Sequence, residues 1–221
     1  MTSPMAMKPY RCILFDWDGC IARTLSLWSD AISASLAEEG ITASEREVGQ
    51  LIGDLYDGAI ALGVKPENWK PFKDRIYLLM DGDAHGISLY EGAKKMLEST
   101  KSSGRMTALI SSSSKLLLEK ALIATEVRPY FDVVISGSDV KRRKPDPEGI
   151  NTAMSLLGAE ASNSIMVGDS EFDIKAASNA GIDSVLFYPQ AHSAFYSLDH
   201  LKKCNPTYIV GSHTELEQML G

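Results

Sequence analysis

Arg11-Cys12-Ile13-Leu14-Phe15-Asp16-Trp17-Asp18-Gly19-Cys20 is the stretch whose reading decides the architecture. Its apolar run, Cys12 to Phe15, has no polar alternation, which is the pattern of a strand buried on both faces of a parallel sheet. The run stops at two carboxylates spaced two apart, with a glycine directly after them. In open parallel α/β sheets ligands gather beyond the carboxyl ends of the strands, so Asp16 and Asp18 are delivered to the edge where chemistry occurs. If the chain turns helically after Asp16, both carboxylates face one small volume, and like charges that close call for a cation or a proton between them. Taken by itself, the segment also fits a plain acidic turn in which Gly19 supplies a positive φ.

Outward from this strand the chain divides. Residues 25 to about 81 carry helical signals and no β-branched run. Trp28, Ala31, Ile32, Ser35 and Leu36 share one face of a helix over 25–39, and Ser44 with Glu47 forms a capping box ahead of Val48 and Leu51. Gly53 to Gly58 is a glycine-bounded break, and Phe72, Ile76, Leu79 and Met80 predict a further buried stripe. From Glu91 onward strands and helices alternate, with apolar strands at 106–110, 133–135, 165–167, 185–187 and 208–210. The expectation is an α/β fold: a Rossmann-like three-layer core with a parallel sheet, residues 1–24 and 86–221, interrupted by an all-helical cap at 25–85.

Composition narrows the function classes. The 221 residues suffice for one sizeable core and a smaller insertion, and 44% hydrophobic with 23% charged residues is ordinary globular composition. A net charge of -7 argues against nucleic acid as a partner, which needs a basic face. No run approaches the roughly 18 apolar residues of a membrane span. Cys12, Cys20 and Cys204 have no metal-site spacing and fit free thiols in a reducing compartment. A soluble, cytoplasmic chain is expected; its oligomeric state is left open by the sequence, with a monomer slightly favoured.

Four separated segments, at Asp16/Asp18, Ser111, Lys144 and Asp169/Asp173, each follow an apolar strand, and a parallel sheet would bring them to one edge. Each is weak evidence singly, but a sheet ending in four polar, partly opposed charges carries a desolvation cost that a merely structural role would not require. The sequence resembles the haloacid-dehalogenase-like hydrolases, in the phosphatase branch with a helical cap that includes β-phosphoglucomutase and phosphoglycolate phosphatase types. The motifs are Ile13-Leu14-Phe15-Asp16-Trp17-Asp18-Gly19, Ala108-Leu109-Ile110-Ser111, Lys144-Pro145-Asp146-Pro147 and Gly168-Asp169-Ser170-Glu171-Phe172-Asp173, in the family's order.

That resemblance implies a Mg²⁺-dependent phosphomonoester hydrolase acting on a small phosphorylated metabolite. It implies Asp16 as nucleophile forming an aspartyl-phosphate, and Asp18 as the acid and base for leaving group and water. It implies Mg²⁺ held by Asp16, the backbone carbonyl of Asp18 and Asp169, with Asp173 on its water ligands. Lys144 would neutralise charge and position Asp16; Ser111, with backbone N–H groups including those of Gly19 and Ser112, would cradle the phosphoryl oxygens. Asp18 argues against dehalogenation, which needs no leaving-group proton. A sugar-phosphate mutase and a catalytically quiet phospholigand-binding protein rank below hydrolase. The mutase ranks lower because the loop 53–58, where such enzymes often carry an arginine for a second phosphate, is acidic here. The acidic loop predicts a substrate with hydroxyl or amine groups beneath the cap. His85, His192, His200 and His213 are scattered and read as surface or core fillers, and Trp28, Trp69 and Phe72 as cap core, with Trp28 near enough to the hinge to reach the cleft.

Overall fold

The computed structural model describes residues 8–82 and 86–221; His85 lies outside the described residues. The opening strand β1 (Cys12–Phe15) is followed by four helices, α1 (Leu25–Glu38), α2 (Glu45–Leu51), α3 (Leu55–Ala61) and α4 (Trp69–Gly82). After α5 (Ala93–Ser102) the chain alternates: β2 (Met106–Ile110), α6 (Lys115–Ala124), β3 (Val133–Ile135), α7 (Glu148–Leu157), β4 (Ser164–Gly168), α8 (Glu171–Ala180) and β5 (Asp183–Phe187). A short α9 (Leu198–Lys202), β6 (Tyr208–Val210) and α10 (His213–Leu220) complete it. The sheet runs β3-β2-β1-β4-β5-β6, and every neighbouring pair is parallel.

The unbroken apolar runs are explained by helices on both faces. Side chains alternate between the faces along each strand. Ile13 and Phe15 of β1 join Leu109 and Val167 on one side, packed by Met96 and Leu97 of α5 and Leu118 of α6. Cys12 and Leu14 join Ala108 and Met166 on the other, packed by Ile150 and Ala153 of α7 and Ala176 of α8. Each fully buried Leu, Ile or Phe contributes roughly 1.5–3 kcal/mol, so the three layers are held by this double burial.

The four helices between β1 and α5 surround a separate apolar cluster that includes Trp28, Ile32, Leu36, Val48, Phe72, Ile76 and Met80, together with Leu117 of α6. The capping box of α2 is formed: the Ser44 N–H donates to Glu47 at 2.8 Å, and the Glu47 N–H donates to Ser44 Oγ. Leu79 departs from expectation. The buried stripe of α4 follows the i, i+4 row Phe72, Ile76, Met80, and Leu79, flanking that row, is 39% exposed. The 3₁₀ turn Gln190–Ala194 and α9, between β5 and β6, carry no signal in the sequence pattern.

Candidate active site

β1 sits at the centre of the sheet with β2 on one side and β4 on the other, where the strand order reverses and ligands of open α/β sheets collect. Asp16, Ser111 and Asp169 are each the first residue past one of these three strands. The Asp16 N–H still donates to Val167 O (2.9 Å) and the Ser111 N–H to Ile135 O (2.9 Å), so both residues are anchored to the strand ladder. The loop after β3 brings Lys144 over this edge. Its Nζ donates to Asp16 Oδ1, to Asp173 Oδ1 (2.6 Å) and to Ile110 O (3.1 Å), using all three ammonium donors.

Asp16, Asp169 and Asp173 are buried, and each offers an oxygen within 4.8 Å of the others. Glycines make room for this crowding. A Cβ on Gly19, which also sits at φ +78°, would stand 2.2 Å from Asp169 Oδ2, and one on Gly168 would stand 2.3 Å from Asp173 Cγ. One ammonium faces three carboxylates, and the imbalance appears in their acidity. Burial pushes the Asp16 carboxyl up to about 8, with Lys144 pulling the other way and Asp173 and Asp18 adding to the rise. Burial, then Asp173 and Asp16, hold Asp169 well above the carboxylate range. For Lys144 burial works against the charge, but Asp16 and Asp173 outweigh it and raise its pKa.

Asp18 occupies a different environment. Its Oδ1 accepts from Thr24 Oγ1 (2.9 Å) and Trp28 Nε1 (2.8 Å), and its Oδ2 from Ser113 Oγ (2.7 Å), with Ser111 Oγ at 3.4 Å. Asp16, Asp18, Lys144, Asp169 and Ser112 line one cleft. Ser111 is 4% exposed; its Oγ accepts from the Ser113 N–H at 3.0 Å.

One expected role changes on this geometry. The Gly19 N–H, expected on phosphate, donates instead to Ala22 O at 3.0 Å, closing the turn after Asp18; Gly19 serves by giving Asp169 space. Asp173 already has donors on both oxygens, Lys144 on Oδ1 and the Ser170 N–H (3.1 Å) and Oγ on Oδ2. It fixes the start of α8 and the ammonium while remaining one of the three clustered carboxylates. The free buried oxygen is Asp169 Oδ2, which has no hydrogen-bond partner among the described residues.

Trp28, read from the sequence as cap core near enough to reach the cleft, does line it; Thr24, Ser113 and His192 contact site carboxylates or lie beside one and were not assigned to the site from the sequence. Thr24 and Trp28 are spaced i, i+4 at the start of α1, a spacing that puts both on one face, and this was the available signal. Ser113 was concealed in a serine run whose Ser114 caps α6. His192 is 1% exposed, its Nε2 2.7 Å from Tyr90 Oη and its Nδ1 3.9 Å from Asp169 Oδ2. Nothing in local spacing ties it to Asp169. His200 is exposed beside Glu171, and His213 is buried with its Nε2 2.9 Å from Cys20 O.

A parallel sheet whose order reverses at β1, with carboxylates past its central strands and a lysine bridging two of them, agrees with the class expected from the motifs. The family model for haloacid dehalogenase-like hydrolases matches residues 13–187, and the chain belongs to this family. It is 35% identical to pyrophosphatase PpaX of Bacillus velezensis over 181 residues, 80% of this chain and 82% of that one. It is 26% identical to a phosphoglycolate phosphatase of Vibrio parahaemolyticus over 98% of both chains. The match to PpaX of Halalkalibacterium halodurans, 29% identical, spans 61% of that protein's length. A hydrolase from Pseudomonas syringae shares the fold with a TM-score of 0.84 at 19% identity, covering 95% of this chain and 97% of that one. Among the described residues no helix is long and apolar enough to cross a membrane.

Proposed function

We propose that this chain is a Mg²⁺-dependent phosphomonoester hydrolase for a small phosphorylated metabolite, with Asp16 as nucleophile. The observation that carries the reading is the contrast between two carboxylates two residues apart. Asp16 is buried among acids with Lys144 on one oxygen; Asp18 is held apart by hydroxyl and indole donors. Such a pair divides nucleophilic from acid–base work. The names of the relatives, pyrophosphatase and phosphoglycolate phosphatase, also support phosphoryl chemistry.

Asp16 attacks phosphorus in line, forming its own O–P bond as the ester O–P bond breaks. Asp18 gives its proton to the departing oxygen. The Trp28 N–H can only donate, so Asp18 Oδ1 stays an acceptor and Oδ2, beside the Ser113 and Ser111 hydroxyls, is the oxygen through which that proton passes. Asp18 then takes a proton from the water that attacks phosphorus and releases Asp16. Lys144 keeps Asp16 oriented and adds positive charge beside the phosphoryl group; Ser112 lines the cleft where that group sits.

The residues fit a hard divalent cation. The cluster offers only carboxylate oxygens, is under-compensated in charge, and includes an orphaned Asp169 oxygen. Asp16, Asp169 and the Asp18 carbonyl would hold Mg²⁺, with Asp173 behind them. When bound it neutralises charge on the transferring phosphoryl group. We further assign residues 1–24 and 86–221 to the catalytic core and 25–85 to a cap over the cleft, a division supported by the separate apolar cluster of α1 to α4. The test is release of p-nitrophenol from p-nitrophenyl phosphate with Mg²⁺ or with chelator. Metal-dependent release lost in Asp16→Asn supports the reading; metal-independent release, or activity surviving the substitution, refutes it.

A further inference from the structure

Resting on the phosphatase reading, we propose that the leaving group this site takes is uncharged and apolar, so that the preferred substrates are monophosphate esters of small aryl-alkyl or alkyl alcohols. The cleft has two unlike halves. Its floor is the carboxylate cluster with Lys144. Above the floor its wall is made by Trp28, Ile32, Leu55 and Tyr77 from the four-helix segment and by Phe172 and Tyr196 from the core. Among the described residues, every side chain that the four-helix segment contributes to this cleft is uncharged. The two cations lining it, Lys144 and Arg143, both come from the core loop at the phosphoryl end.

The acids of the 53–58 loop do not change this. Asp54 Oδ1 accepts from the Asp57 N–H and caps α3, so what the loop presents to the cleft is Gly53 and Leu55. The expectation of a hydroxyl- or amine-bearing substrate rested on those acids; an apolar leaving group is proposed in its place. Trp28, the one wall residue with an N–H, has spent it on Asp18. A carboxylate or second phosphate placed against this wall would be desolvated with no cation from the four-helix segment to meet it, leaving only Arg143 of the core loop, and a polyol would lose water contacts that Tyr77 and Tyr196 could replace only in part. An apolar group loses nothing there and gains burial against aromatic and aliphatic surface. An adjoining opening, which shares Leu55 and Tyr77 with the cleft and is lined by Lys73, Lys141 and Arg143 as well as Asp54, is where a second anion would go instead.

The test is a panel of esters of primary alcohols, in which the bond broken is the same: benzyl phosphate, n-butyl phosphate, glycerol 1-phosphate and phosphoglycolate, with pyrophosphate added, all with Mg²⁺. We expect kcat/KM for benzyl and butyl phosphate to exceed that for the other three by about 10-fold or more, the scale on which apolar pockets discriminate. Leu55→Lys, a change at a half-buried position in the first turn of α3, puts a cation on the wall; it should lower kcat/KM for benzyl phosphate and raise it for phosphoglycolate. A wild-type preference for glycerol 1-phosphate, phosphoglycolate or pyrophosphate overturns the proposal, and if that preference is lost in Lys73→Ala the leaving group lies in the neighbouring opening. Failure to turn over any of the five, or p-nitrophenyl phosphate, overturns the phosphatase reading itself.

Discussion

The edge of the sheet and the underside of the four-helix segment face each other across one cleft and are built on opposite principles. The edge packs like charges together: Asp16, Asp169 and Asp173 lie buried around a single lysine, and two of the three carboxyls are driven far from their ordinary acidity. The helical side presents tryptophan, tyrosine and aliphatic carbon. The crowded like charges thus lie where a cation and a phosphoryl group would relieve them, and the apolar wall sorts substrates by desolvation. At the cleft, the Trp28 indole on Asp18 is a polar link across this divide.

The largest expected effect breaks the charged side. Asp16→Asn should reduce kcat by at least about 10⁴-fold, the scale of losing a covalent nucleophile, while circular dichroism stays unchanged. Next comes Asp169→Asn. Wild type at 100 times the Mg²⁺ dissociation constant gains about 2.7 kcal/mol of stability. The variant should gain essentially none, yet melt higher than wild type without metal, because one of the repelling carboxylates is gone. A metal-free variant that melts lower would mean that Asp169 stabilises the fold rather than straining it.

Trp28→Phe tests the link between the two sides. It keeps the ring among Ile32 and Tyr77 but removes the N–H from Asp18. A hydrogen bond to a charged group is worth about 1.5–3 kcal/mol, so kcat for alkyl phosphates should fall roughly 10- to 100-fold. Turnover of p-nitrophenyl phosphate, whose leaving group needs little protonation, should change much less. Equal losses on both would place Trp28 in packing alone.

The smallest effect lies behind the site. Burial lowers the pKa of His192 to about 3 and of His213 to about 4, the latter against a small rise from the Cys20 carbonyl. In the unfolded chain both take up protons near the usual 6.5 while the folded chain does not. Stability in excess Mg²⁺ is therefore fully present above about pH 6.5 and is lost as pH falls toward the folded values. Each histidine accounts for at most about 1.4 kcal/mol per pH unit in that window. His213→Gln should make the urea midpoint less steep with pH; an unchanged slope would mean that His213 is charged in the folded protein.

The sheet was legible because its signal is strong and local. Runs such as Cys12 to Phe15 and Met106 to Ile110 have no room for a solvent face, and each ends abruptly at a polar residue. Once the sheet is parallel, the meeting of Asp16, Lys144 and Asp169 follows from topology. What stayed hidden depends on where single atoms point. No pattern shows that the Gly19 N–H turns back to Ala22, that Asp54 caps a helix instead of facing the cleft, or that His192 arrives beside Asp169 from a turn after β5. The apolar wall was hidden for the same reason: charge in the 53–58 loop was visible in the sequence, but which of its residues line the cleft was not.

One measurement goes to the centre of the account: acid quench during turnover of p-nitrophenyl phosphate with Mg²⁺, followed by borohydride reduction and peptide mass spectrometry. The account predicts that Asp16, and no other residue, becomes reducible in the presence of substrate, as an acyl phosphate must. A label on Asp18 or Asp169, or none in an enzyme turning over with a burst, would contradict it.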